Sequence, residues 1–194
     1  MIILASNSEI RKTLLTNAGV SFSVRPSQLN EEQEKKTAEN LSTLELAAHL
    51  AKSKALSMSA DHPAELIIAA DQTLEFEKQS LTKAKSIEEA RQQLRMLRGK
   101  THKLHAAVTC AKGNATTFET IETAELHMRD FSDLFLDQYL ATQGAQLLQN
   151  LGCYKLEMAG IQLFSAIVGN YFAILGLPLL PLLTHLRQTG DLEQ

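Results

Sequence analysis

The chain predicts an α/β fold, a mixed central sheet flanked by helices with two lobes around a cleft. Three observations predict it. Short apolar runs that read as buried strands, Ile2-Ile3-Leu4-Ala5 and Leu66-Ile67-Ile68-Ala69-Ala70, are interleaved with segments of helical periodicity. From His102 to Met128, apolar and polar residues alternate on both sides of a Lys112-Gly113-Asn114 turn, the pattern of an antiparallel hairpin. The third observation is size: 194 residues with 44% hydrophobic content can bury one large core or two small ones. No internal repeat and no Pro/Gly/Ser-rich linker interrupts residues 1–194, which read as a single domain.

Taken in order, the first strand runs into Ser6-Asn7-Ser8 and a helix from Glu9 to about Ala18. That helix places Ile10, Leu14 and Ala18 on one face, with Gly19 beyond its end. Val20, Phe22 and Val24 alternate as a strand, and the polar stretch Asn30 to Lys36 reads as a mobile, solvated loop. Ser42-Thr43-Leu44-Glu45 has the form of a capping box opening a helix with Leu44, Ala47, Ala51, Ala55 and Met58 on its apolar stripe; Lys52 and Lys54 ride on it. After the apolar strand ending at Asp71, a second box at Ser86-Ile87-Glu88-Glu89 opens a helix to Arg98, stopped by Gly99. The hairpin follows, then a helix from Ser132 to about Thr142, an apolar segment around Ile161 to Val168, and a final strand over Ala173 to Leu177. Pro178 and Gly190 bracket a carboxy-terminal helix.

Composition excludes several classes of function. A net charge of −3 provides no footprint for a nucleic acid polymer, although a mononucleotide needs only a few local cations. Cys110 and Cys153 are too far apart in sequence for a CxxC pair and read as small buried hydrophobes in a reducing compartment. There is no apolar run long enough to cross a membrane and no leader pattern, so a cytoplasmic location is expected. The P-loop pattern G-x-x-x-x-G-K-[ST] is absent, which removes the ordinary ATPase reading.

Two places carry chemistry. Asp71 follows five apolar residues at the carboxyl end of a buried strand, where an α/β sheet presents side chains to a ligand crevice. A carboxylate buried there must be paired, metal-bound or functional. At the amino terminus, Ser6, Ser8, the free N–H groups of a helix start and Arg11 suit a phosphate, although Ser at such a turn also serves as a plain N-cap. His102 and His105 stand three apart on a strand, point to opposite faces and do not form a metal pair.

Leu4-Ala5-Ser6-Asn7-Ser8 with Arg11, Ala70-Asp71, Leu97-Arg98-Gly99-Lys100-Thr101-His102 and Gly176-Leu177-Pro178-Leu179 fall in the order and spacing of the Maf family of nucleoside triphosphate pyrophosphatases. The chain resembles that family over nearly its whole length. Asp71-Gln72, where the dTTP/UTP branch has Asp-Thr, and Tyr154-Lys155-Leu156-Glu157 with Gly160-Ile161 and Leu163-Phe164 are similar to the 7-methyl-GTP branch. The resemblance implies a Maf/ITPase-like fold and hydrolysis of a non-standard nucleotide, 7-methyl-GTP, to the monophosphate and pyrophosphate as house-cleaning. It implies a divalent cation, Mg²⁺ or Mn²⁺, held by Asp71 and Glu31. Asp71 matches the catalytic acid that activates water; Ser6, Arg11, Lys54 and Lys83 match residues that reach phosphate, and Gln72 stands near the base.

Each assignment has a rival. Lys54, Lys83 and Glu31 also fit solvated surface positions, and Gln72 also fits a residue that satisfies backbone groups. Ile10, Asn30, Ala84, Asn150 and Asn170 depart from the family pattern, removing a cation at position 10 and acids at 30 and 170. These departures keep open a nucleotide-binding regulator of cell division with little turnover, as the family's link to septum arrest implies; a dTTP/UTP pyrophosphatase is the alternative if Gln72 does not mark the branch. A homodimer is compatible with the apolar segment Leu175 to Leu183, which equally fits the core.

Overall fold

The computed structural model describes residues 1–193. Its single sheet runs β2-β1-β3-β5-β6-β7, with β4 also paired to β3. β1 (Ile2–Leu4) lies parallel to β2 (Phe22–Val24) and to the start of β3 (Leu66–Phe76), and the remaining pairs are antiparallel, so the sheet is mixed as expected. On one face, α1 (Glu9–Asn17) and α7 (Leu179–Gln188) bury Leu14, Leu15, Leu182 and Leu186 against Leu4, Ile68 and Ala70. On the other, α3 (Thr43–Asp61) sets Ala55 and Met58 on Ile3, Ile67 and Ala69. The alternation of β3 therefore sends even-numbered residues toward α1 and α7 and odd-numbered ones toward α3.

A second core forms farther along the same strands. β4 (Gln79–Leu81), α4 (Ile87–Leu97), β5 (Thr101–Lys112), β6 (Ala115–Met128) and α5 (Asp133–Gln143) gather Leu74, Phe76, Leu94, Leu97, Leu104, Leu126, Leu136 and Tyr139. Three short 3₁₀ turns between 144 and 163, then β7 (Phe164–Val168) and α6 (Tyr171–Ile174), complete the chain up to α7. Gly113 and Asn114 both take positive φ, 59° and 63°, as a type I′ hairpin turn requires. Ile68 and Ala70 belong to the first core and Leu74 and Phe76 to the second, which leaves Asp71, Gln72 and Thr73 at the seam.

Four expectations are corrected. Residues 31–37 are not a loop but α2 (Glu31–Thr37): Asn30 caps it by accepting the Gln33 N–H, acids fill its first turn and Lys35 and Lys36 its last, all in accord with the helix dipole. α2 buries no side chain and is docked by polar contacts, with Glu34 accepting from Ser53 at 3.1 Å and lying 2.9 Å from His49 Nε2. Leu44 is exposed, because Thr73 Oγ1 donates to the Thr43 carbonyl and turns Thr43 inward; Leu50 joins the stripe instead. At Ser86 only half of the capping box forms, since the Glu89 carboxylate accepts from Lys85 N–H. The expected final strand is the short helix α6, whose start is capped by Asn170 accepting the Phe172 N–H.

His102 shows how burial sets a pH response. It is 1% exposed, with Nε2 2.7 Å from the Tyr154 hydroxyl and Nδ1 without a partner. Burial, with a smaller push from His127, lowers its pKa to about 4. The unfolded chain, with a histidine near 6.5, therefore takes up a proton that the folded chain refuses. Stability from this group is complete above about pH 6.5 and falls as pH drops toward 4, by up to roughly 3 kcal/mol across that window. Urea midpoints measured over that range should fall with a visibly shallower slope in His102→Gln, which keeps a neutral partner for Tyr154. Burial likewise pushes the thiols up, Cys110 to about 12 and Cys153 to about 11, in keeping with inert packing residues.

Candidate active site

The cleft originates in a gap in strand pairing. β5 runs along one edge of β3 from Ile67 to Glu75, so β1 and β4 must share the other edge. β1 covers it only from Leu66 to Ile68 and β4 only from Leu74 to Phe76. Residues 69–73 thus have no strand on that side. Asp71 does not end its strand, as expected from the sequence, but sits within it. The crevice opens because β1 stops at Leu4 while β3 continues.

A carbonyl exposed by such a gap needs a donor, and Arg11 supplies one. From α1 its Nη1 donates to the Ala70 carbonyl at 2.8 Å and, at 3.3 Å, to Ser6 Oγ; its Nε donates to the Gly176 carbonyl at 2.8 Å. Burial pulls the guanidinium pKa down, while the charges of Asp71 and Glu31 push it back up. Arg11 therefore ties α1, β3 and the α6–α7 junction together at the cleft floor. Gln72, on the same face, donates its amide to the carbonyls of Ala173 and Ile174, both at 2.9 Å. Of its two sequence readings, this geometry favours satisfaction of backbone groups.

Asp71 points to the opposite face, where α3 delivers Lys54. The lysine Nζ lies 2.5 Å from Asp71 Oδ1 and 2.9 Å from Glu31 Oε1 on α2. Asp71 and Lys54 are 8% and 7% exposed, so this is a buried charge pair bridged to a half-exposed carboxylate. Burial pushes the Glu31 pKa up, but Lys54, Lys35 and Lys83 outweigh it and hold the carboxyl below its ordinary value. At neutral pH Glu31 is ionised.

Around this cluster lies a cleft of about 1150 Å³, roughly the upper size of small-molecule sites. Ser6, Arg11, Glu31, Lys54, Asp71, Gln72 and Lys83 all line it, so the residues singled out in the sequence converge on one place. Ile10, Asn150 and Lys155 line it too, whereas Ala84 is buried in the second core. Lys35 and Lys85 join the lining with no motif in the sequence to mark them. Lys35 follows Glu31 by four residues, so the helix at 31–37 places both on one face, a relation that a loop does not have. His102 and His105 meet different partners, Tyr154 for the first, Thr123 and Glu75 for the second. Among the described residues no group of three or more His, Cys, Asp or Glu is placed to hold a metal. Two carboxylates facing a cationic wall nevertheless suit Mg²⁺, which takes one or two protein carboxylates and completes its shell with phosphate and water. Among the described residues no helix is long and apolar enough to cross a membrane.

This arrangement can hold a polyanion along Arg11, Lys35, Lys54, Lys83 and Lys85 with a buried carboxylate beside it. The model of the Maf-like protein family matches residues 1–189. A nucleoside triphosphate pyrophosphatase of Caulobacter vibrioides is 44% identical over 98% of this chain and 96% of its own length. A 7-methyl-GTP pyrophosphatase of Rhizobium etli is 39% identical over 99% and 98%. Among solved structures, the Staphylococcus aureus Ham1 protein aligns with 66% of this chain and 72% of its own at 16% identity and a TM-score of 0.42. The family match spans every element that builds the cleft, from β1 to α7, and the chain belongs to the Maf family.

Proposed function

We propose that the protein hydrolyses a nucleoside triphosphate to the monophosphate and pyrophosphate, with 7-methyl-GTP as its substrate and a house-cleaning role in the cytoplasm. The observation that carries the reading is Asp71, buried at the unpaired stretch of β3 within a cleft walled by cations. The curated relatives of similar length are named as pyrophosphatases of this kind, and two of those named for 7-methyl-GTP are 39% and 41% identical.

In this reading Asp71 orients the attacking water and takes its proton, a role that requires a carboxylate held beside the α-phosphorus. Ser6, Lys54 and Lys83 bind the phosphates, and the charge that builds on leaving pyrophosphate meets the same lysines. Arg11 fixes the cleft floor through its bonds to Ala70, Ser6 and Gly176 and adds its charge to the phosphate site. Mg²⁺ or Mn²⁺, held by Asp71 and Glu31, would neutralise charge on the triphosphate. Since the Gln72 amide is engaged by Ala173 and Ile174, discrimination of the base falls to the far wall, at Gln149, Asn150, Tyr154 and Lys155.

Pyrophosphate release measured on 7-methyl-GTP, GTP, dTTP, UTP and CTP, with Mg²⁺, Mn²⁺ or chelator, tests this. The expected result is metal-dependent release at least about tenfold faster from 7-methyl-GTP than from GTP. Faster release from dTTP or UTP keeps the reaction and overturns the substrate. Orthophosphate as the first product, or no release from any of them, overturns the reaction itself.

A further inference from the structure

Lys54 stands where the carboxylates of Asp71 and Glu31 converge. One ammonium bridges Asp71 Oδ1 at 2.5 Å and Glu31 Oε1 at 2.9 Å, from a side chain almost entirely removed from solvent. A divalent cation bound to the same oxygens, at about 2.0–2.1 Å, would stand close to the ammonium, so the two like charges compete for the same carboxylates. The charge count agrees. Two carboxylates against one ammonium leave a single negative charge; adding a divalent ion without moving Lys54 would make the cluster positive in a partly buried site. Only an arriving polyanion restores the balance. The donor set agrees as well, because the described residues offer no third acidic, histidine or cysteine ligand to retain a metal unaided.

We propose that Lys54 is the resident counter-cation of Asp71 and Glu31 in the nucleotide-free protein, and that it gives up this place only when a nucleotide arrives with its metal. Incoming phosphate oxygens draw the ammonium off the carboxylates along its unbranched stem, and the freed oxygens turn to the cation. Lys54 thus couples metal binding to nucleotide binding, which keeps the empty cleft from retaining a metal. The inference rests on the placement of the metal at Asp71 and Glu31.

Mn²⁺ titrations followed by electron paramagnetic resonance on the nucleotide-free full-length protein test it. Wild type should bind Mn²⁺ at least about tenfold more weakly than Lys54→Met, a modest coupling by the standard of linked sites. Lys54→Gln serves in place of Lys54→Met if the latter fails to fold by circular dichroism. Lys112→Met, which removes an exposed lysine outside the cleft and leaves the bridge in place, should match wild type. Equal Mn²⁺ affinity in wild type and the Lys54 variants, whether tight or undetectable, overturns the proposal. A fourth arm adds a non-hydrolysable GTP analogue, which should raise Mn²⁺ affinity in wild type and much less in Lys54→Met; an equal gain in both also overturns it. Binding is read without turnover, so failure here alongside intact metal-dependent pyrophosphate release would leave the hydrolase reading standing.

Discussion

Asp71→Asn should lower the turnover number for pyrophosphate release by at least about 100-fold, within the range that a positioned general base contributes. The substitution retains side-chain volume and one acceptor for the Lys54 ammonium but removes the charge. Two consequences need separating. Loss of a charged partner by a lysine that is 7% exposed costs about 1.5–3 kcal/mol of stability, the lower end being expected because Glu31 still accepts from Lys54 at 2.9 Å. The chemical effect must therefore be read per folded molecule, with the thermal melt recorded beside the rate. Nucleotide binding without metal rests on Ser6, Arg11, Lys54 and Lys83 and should persist within a few-fold, so the loss should appear in kcat more than in the metal-free affinity for a non-hydrolysable analogue. Full turnover with unchanged metal dependence would remove Asp71 from the reaction and with it the central assignment of the site.

How far the sequence could be read follows from what kind of signal each element leaves. The buried strands, α1, α3, α4, the hairpin and α7 write their periodicity and their caps into local residues, as Ser42 with Glu45 and Gly113 with Asn114 show. α2 leaves no such trace, because it buries nothing and is docked by Glu34 and Glu31 on α3. A helix held only by polar contacts has no apolar stripe to read. The residues of the site were legible one by one, through the lone acid after an apolar run and through family motifs. Their pairing was not. That Lys54 reaches both Asp71 and Glu31 depends on α3 crossing the odd-numbered face of β3, and that Asp71 lies at a gap depends on β1 and β4 being shorter than β3. Register and strand length across a sheet are properties of pairs, which no single stretch of residues encodes.

Gly152→Ala should be among the most destabilising single substitutions behind the wall of the cleft that Leu151 and Tyr154 form. Gly152 takes φ +68° inside the turn between Leu151 and Cys153, and an added Cβ would come within 2.4 Å of the Tyr154 ring and 2.9 Å of Leu74 Cδ1. The backbone conformation alone costs a non-glycine residue roughly 1–2 kcal/mol, and overpacking a filled core adds about 1–3 kcal/mol. Tyr154 cannot withdraw cheaply: it is 5% exposed, lies edge-on to Phe164 at 4.8 Å and shares a hydrogen bond with buried His102. Allowing for the gain from a stiffer unfolded chain, a net loss of about 2–4 kcal/mol is expected, or roughly 5 to 15 °C in melting temperature for a chain of this size. Gly19→Ala is the matched control, since Gly19 has a similar φ of +73° and no atom within 4 Å of an added Cβ. It carries the backbone term without the collision, and its melting temperature should fall by only a few degrees. If the two variants melted together, Tyr154 and Leu74 would be free to move aside, and the wall assigned here to discrimination of the base would be a pliable surface instead of a fixed one.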